Sequence, residues 1–161
     1  MNSDWTIKIK SRQEAADWSS IIKEKGFDLV FTNGCFDILH PGHLKYLAEA
    51  KDLGSYLIVA INSDVSVKQL KGDKRPINSE YDRALALSCL LFVDAVVIFE
   101  EATPLEIIKE IVPDVLVKGG DYNIKDIVGK EVVEGNGGTV KTIPFVEGYS
   151  TTEIIEKIKN L

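Results

Sequence analysis

His40 and His43 are the chain's only histidines, and both fall in the run Thr32-Asn33-Gly34-Cys35-Phe36-Asp37-Ile38-Leu39-His40-Pro41-Gly42-His43. At that spacing two imidazoles project from one helical turn and can reach a single centre. The apolar run Leu29-Val30-Phe31 precedes the segment, and an apolar periodicity through Leu44, Leu47, Ala48 and Leu53 follows it. The order is therefore strand, turn and helix start, where unpaired backbone N–H groups and the positive end of the helix dipole favour an anion. Gly34 and Gly42 permit close backbone approach, and Pro41 suits a first helical turn because its missing N–H would be unpaired there. The implied chemistry is phosphate binding, with imidazole hydrogen bonds that strengthen as charge builds on phosphoryl oxygens.

Half of a zinc site is the alternative for such a pair. The other soft ligands are only Cys35 and Cys89, so an all-protein cage would have to recruit carboxylates such as Asp37. Phosphate is the better match, and no metal ligand set is assigned.

The 161 residues, 45% hydrophobic and 27% charged, suffice for one domain with one real core. The expectation is a single domain over residues 1–161, with 1–26 as an N-terminal helical extension packed on it. Two cysteines far apart, no membrane-length apolar stretch and no signal-like N-terminus point to the cytoplasm and away from a membrane. A net charge of −6 argues against a general nucleic-acid binder. Against that acidic background, Lys68, Lys71, Lys74 and Arg75 form a local cationic patch after a predicted strand, suited to a triphosphate. A solvated loop is the simpler account of such a charge run.

Elements that would position these groups alternate along the chain. Ser11 to Glu14 has capping-box spacing ahead of a helix carrying Ala15, Trp18, Ile21 and Ile22. Strands are predicted over Asp28–Thr32, Tyr56–Asn62, Ala95–Phe99, Asp114–Lys118 and Thr139–Ile143. Helices are predicted over Pro41–Asp52, near Ser79–Cys89, opened by Thr103-Pro104-Leu105-Glu106, and over Ser150–Lys159, with a charged loop after Asn62. Short β-branched runs separated by helical patterns specify an α/β fold, a doubly wound parallel sheet of Rossmann-like type. Ligands then bind beyond the carboxyl ends of the strands. That rim would gather Asn33 to Asp37, Asn62-Ser63-Asp64, Lys118 to Tyr122, and Pro144 through Thr152.

Two of these segments have ordinary readings as well. Lys118-Gly119-Gly120-Asp121-Tyr122 offers ribose and base contacts, or is simply a Gly-Gly turn. Ser150-Thr151-Thr152-Glu153 is a capping box in its own right, yet the same helix start exposes hydroxyls and N–H groups suited to phosphate. No Walker A, G-x-G-x-x-G or G-x-S-x-G pattern occurs.

The run from Asn33 to His43 resembles the HxGH signature of the nucleotidyltransferase superfamily, which includes cytidylyltransferases and several adenylyltransferases. Beyond it, the chain resembles the heptose 1-phosphate adenylyltransferases almost end to end. The matching stretches are Ala60 to Asp64, Leu70-Lys71-Gly72, Arg75-Pro76-Ile77, Asp82-Arg83-Ala84, Val117 to Tyr122 and Gly148 to Thr152. In many bacteria that unit is the C-terminal half of a bifunctional heptose kinase/adenylyltransferase, so the resemblance implies a stand-alone form. Glycerol-3-phosphate cytidylyltransferases carry an arginine ahead of the last motif, where this chain has Phe145-Val146-Glu147. That departure disfavours a cytidylyl reading and leaves a more apolar lip suited to adenine.

The resemblance implies transfer of AMP from ATP, with Mg²⁺, to D-glycero-β-D-manno-heptose 1-phosphate, giving the ADP-heptose used in lipopolysaccharide inner-core synthesis. His40, His43 and Lys71 would be catalytic. Asn33, Gly34, Cys35, Phe36, Gly42, Lys118, Gly120, Asp121, Ser150, Thr151 and Thr152 would bind the nucleotide, and Asp37, Asp64, Arg75 and Arg83 the sugar phosphate. A homodimer is the family's common state. The competing expectations are a cytidylyltransferase acting on glycerol 3-phosphate or a similar small phosphate, and a non-catalytic nucleotide sensor.

Overall fold

The computed structural model describes residues 4–120, 122–144 and 146–161. Six parallel strands make one sheet: β1 (Ile9–Lys10), β2 (Leu29–Gly34), β3 (Tyr56–Asn62), β4 (Ala95–Phe99), β5 (Val115–Gly119) and β6 (Thr139–Ile143), in the order β1-β4-β3-β2-β5-β6. From β2 the chain winds outward through β3 and β4 on one side and through β5 and β6 on the other. The strand order therefore reverses between β2 and β5, and a crevice opens at their carboxyl ends.

The helices are α1 (Arg12–Glu24), α2 (Pro41–Lys51), α3 (Asp64–Lys71), α4 (Glu80–Ser88), α5 (Leu105–Ile111), α6 (Lys130–Gly135) and α7 (Thr151–Lys159). Alternate strand residues feed two separate cores. Leu29, Phe31, Ile58 and Ala60 pack with Ala15 and Ile22 of α1 and Ile107, Ile108 and Ile111 of α5. Val30, Leu57, Val59 and Ile61 pack on the other face with Leu47 and Ala50 of α2 and Ala84 and Leu87 of α4. Burial on both faces is why β2 and β3 read as nearly continuous apolar runs. None of the described helices is long and apolar enough to cross a membrane.

Two segments differ from their expected form. The stretch before α1 contributes an edge strand, β1, whose Ile9 and Lys10 pair with Val96 and Val97. The expected charged loop after Asn62 opens with a helix, α3, capped by Ser63, whose Oγ accepts from the Ser66 N–H at 3.2 Å. That helix is only eight residues long, buries only Ser66 and Val67 and leaves Val65 and Leu70 exposed, too short a run for a periodicity to establish.

Candidate active site

At the crevice, β2 ends on Gly34 and α2 opens with His40 at its N-cap and Pro41 at its first position. The His40 Nδ1 accepts the His43 N–H at 3.3 Å. A nitrogen that accepts holds no proton, so this cap fixes the tautomer and leaves Nε2–H as a donor. The His43 ring stacks on it with centroids 3.7 Å apart and planes 17° apart, and the Phe36 ring meets His43 at 5.1 Å, tilted by 60°.

Burial makes both rings poor bases. Desolvation lowers the His40 pKa, and desolvation together with the neighbouring His40 pushes His43 down to about 4. The Ile38 carbonyl opposes the drop, yet the buried His43 Nδ1 makes no hydrogen bond of acceptable geometry among the described residues. At neutral pH the pair is a set of uncharged donors, and positive charge must come from elsewhere.

It comes from three other elements. The same cleft, about 370 Å³ in volume, is lined by Lys71 at the end of α3, Arg75 in the following loop and Lys118 at the end of β5. The Lys118 Nζ lies 3.4 Å from Asn33 Oδ1 and 5.7 Å from the Tyr122 ring centre, and its burial lowers its pKa. The opposite wall is the start of α7, where Ser150 Oγ accepts the Glu153 N–H at 3.1 Å and Thr151 Oγ1 lies 3.4 Å from the Ile38 carbonyl.

The structure therefore brings His40, His43, Lys71, Asn33, Gly34, Cys35, Phe36, Gly42, Lys118, Ser150, Thr151 and Thr152 around one cavity, with Asp37 and Arg75. Several expected members are placed otherwise. Gly120 is buried behind the wall, its N–H donating to the Ile143 carbonyl at 2.8 Å. Asp121 lies outside the described residues.

The expected sugar-phosphate group is placed differently for a clear physical reason. Arg83 has a fully buried side chain whose Nη1 donates to the Cys35 carbonyl at 2.7 Å, Nε to the Asn78 carbonyl at 3.1 Å and Nη2 to Asp64 at 2.8 Å. Neither Arg83 nor Asp64 lines the cavity. Asp37 touches it, but its buried carboxylate is committed to Arg75 Nε and to the N–H groups of Ile77 and Asn78 at 2.7 and 3.0 Å.

A second cavity of about 370 Å³ abuts the first, sharing Asn33, Gly34, Cys35, Lys71, Lys118 and Tyr122, and extends toward Thr103 and Asp126. The first also has a floor that the sequence reading omitted: Tyr46, whose buried hydroxyl meets Thr32 Oγ1 and donates to the Val117 carbonyl at 3.3 Å. Burial pushes that hydroxyl up to about 12, so it stays protonated. The signal for Tyr46 was its spacing, one helical turn beyond His43 on α2.

Comparison with known proteins agrees with this geometry. "Bifunctional protein HldE" of Campylobacter jejuni subsp. doylei is 54% identical over 98% of this chain, and its namesake from Nitratiruptor sp. is 55% identical over 94%. In both cases the match covers 32% of the relative, so the chain spans about a third of the length of these curated relatives. The crystal structure of a lipopolysaccharide core biosynthesis protein from Thermoplasma volcanium superposes with a TM-score of 0.62 at 30% identity, covering 78% of this chain and all of that one. The cytidylyltransferase-like family model matches residues 31–157, which contain the imidazole pair, both cavities and the strand-order reversal, and the chain belongs to that family of nucleotidyltransferases.

Proposed function

We propose that the chain transfers AMP from ATP to D-glycero-β-D-manno-heptose 1-phosphate, releasing pyrophosphate. The observation that carries this reading is the stacked, uncharged imidazole pair at the start of α2, facing Lys71, Arg75 and Lys118 across a cleft at the strand-order reversal. The high identity to bifunctional HldE proteins supports the choice of sugar.

In this reading an oxygen of the sugar phosphate attacks the α-phosphorus, a new P–O bond forms in line, and the bridging bond to the β-phosphate breaks. The nucleophile is already anionic at neutral pH, so no general base is needed and rate comes from positioning and charge stabilisation. His40 offers Nε2–H to a phosphate oxygen, and His43 donates from the adjacent ring. Lys71 and Arg75 take up charge on the leaving pyrophosphate. Lys118, Asn33 and the start of α7 seat the nucleotide, and the adjoining second cavity, which extends toward Thr103 and Asp126, offers room that supports placing the acceptor there.

Mg²⁺ fits as a companion of ATP. Asp37, the carboxylate lining the first cavity among the described residues, is committed to protein donors, so phosphate oxygens and water are the ligands on offer. When bound, the ion neutralises triphosphate charge. Likeness to the family also supports a cytoplasmic homodimer, which light scattering on the purified chain would test.

The deciding experiment measures pyrophosphate release with ATP or CTP against heptose 1-phosphate or glycerol 3-phosphate. Fastest turnover is expected with ATP and the heptose. Preference for CTP with glycerol 3-phosphate would make it a cytidylyltransferase, and ATP binding without pyrophosphate from any acceptor would make it a sensor.

A further inference from the structure

The buried His43 Nδ1 makes no hydrogen bond of good geometry among the described residues, and the Ile38 carbonyl interacts with the ring only strongly enough to oppose part of the fall in its pKa. Packing on two aromatic neighbours orients the ring: it stacks on the His40 imidazole at 3.7 Å and meets the Phe36 ring, tilted by 60°, at 5.1 Å. Phe36 reaches that place through a left-handed backbone, φ 47°, which is unfavourable for a bulky side chain. It also needs Gly34, where a Cβ would stand 2.9 Å from the Phe36 ring.

A residue in such a conformation persists when its neighbours over-determine it. Before Phe36, the Cys35 carbonyl accepts from Arg83 Nη1 at 2.7 Å. After it, the Asp37 carboxylate accepts from Ile77 N, Asn78 N and Arg75 Nε, and the Asp37 carbonyl accepts from Asn78 Nδ2 at 2.6 Å. Arg83 closes the circuit, its Nε donating to the Asn78 carbonyl at 3.1 Å while Asp64 balances the buried charge at 2.8 Å.

We propose that Arg83 is a positioning residue: by tying the Cys35 carbonyl to the loop at Asn78 it holds Phe36 left-handed, and Phe36 aims the His43 ring at the phosphate. The idea rests on the phosphoryl-transfer reading of the site. It gives Arg83 a role in rate without any contact with substrate.

Arg83→Lys keeps the charge, but a single ammonium cannot span Cys35, Asn78 and Asp64 in the planar fork that guanidinium provides. The expected result is a fall in kcat of about 10- to 100-fold, with KM for ATP and for the sugar phosphate changed by less than about threefold. An arginine that bound phosphate would instead raise KM. Asn78→Ala keeps the backbone carbonyl that Arg83 holds and removes only the Nδ2 bond to the Asp37 carbonyl, loosening the other end of the same loop, so it should lower kcat more mildly, by about threefold to tenfold.

Two further measurements separate aiming from simple support. In the absence of substrate, His43 should titrate near 4 by NMR in the unaltered chain and move toward its ordinary 6.5 in folded Arg83→Lys or Asn78→Ala. In a Phe36→Leu background, Arg83→Lys should cost little more, because both changes cut the same link. Additive losses, a KM effect at constant kcat, or an unmoved His43 titration in both folded variants would each overturn the proposal. If the unaltered chain shows no adenylyl transfer, the functional reading fails, while the titration still decides whether the clamp aims the ring.

Discussion

His40 and His43 stack with 3.7 Å between centroids, closer than two imidazolium cations would tolerate without an anion between them. The arrangement selects the neutral rings, and burial of both works in the same direction. A triphosphate drawn into the cleft would therefore meet uncharged rings, His40 already presenting Nε2–H, with formal charge kept on Lys71, Arg75 and the partly buried Lys118.

Stability should accordingly depend on pH through His43. Its folded pKa of about 4 lies below the ordinary 6.5, so between those values the unfolded chain binds the proton more readily. The contribution is fully present above 6.5 and is lost as pH falls toward 4. It amounts to at most about 3 kcal/mol, trimmed by the ring's partial exposure. Urea melts at pH 7 and pH 5 should show a larger loss for the unaltered chain than for His43→Asn; parallel losses would remove His43 from the account.

Alanine at either histidine should lower kcat by about 10²–10³. The two substitutions differ in stability, because His40 also caps α2 through the His43 N–H. His40→Ala should cost about 1 kcal/mol beyond lost packing, and His40→Asn should restore most of that cap while leaving turnover low. Thermal melts read beside pyrophosphate release would separate these roles. Full turnover in His40→Asn would show that the ring acts only as a cap.

Much of this was legible in the sequence, for identifiable reasons. β2 and β3 are buried on both faces, so their apolar runs stand out, and the α1 capping box forms as its spacing predicts, with Ser11 and Glu14 bonded both ways. The edge strand β1 is only two residues long, and α6 only six, too short for any periodicity. Arg83 shows a different limit. Its partner carbonyl at Cys35 lies 48 residues away, and a polar side chain in a helix gives no local sign that it will be wholly buried. Resemblance alone assigned it to substrate, whereas the fold surrounds it with protein acceptors.

Gly42 tests how tightly the pair is held. A Cβ there would stand 3.1 Å from His40 Nδ1 and 3.1 Å from the Tyr149 Cβ, so both neighbours must give by a few tenths of an ångström. The backbone of Gly42 is not left-handed, which leaves crowding as the only penalty. Gly42→Ala should therefore cost about tenfold in kcat, as the His40 ring is pushed away from the phosphate, and at most the about 1 kcal/mol of the His40 cap in stability. A large loss of stability with normal turnover in the remaining folded protein would contradict this.

Lys118 should make ATP affinity fall in alkaline solution. Its burial lowers its pKa in the free protein, so on raising the pH it loses its proton earlier than an exposed lysine. A triphosphate favours the charged form, and binding at alkaline pH must therefore recruit a proton, which weakens affinity as pH rises through the free-protein pKa. Lys118→Met should bind ATP about tenfold more weakly at neutral pH, the scale of one charge-assisted hydrogen bond, and should lose the alkaline slope. Calorimetric titrations in buffers of different ionisation enthalpy would report the proton uptake directly. Equal uptake by the unaltered chain and Lys118→Met would assign the slope to another group and move Lys118 away from the phosphates.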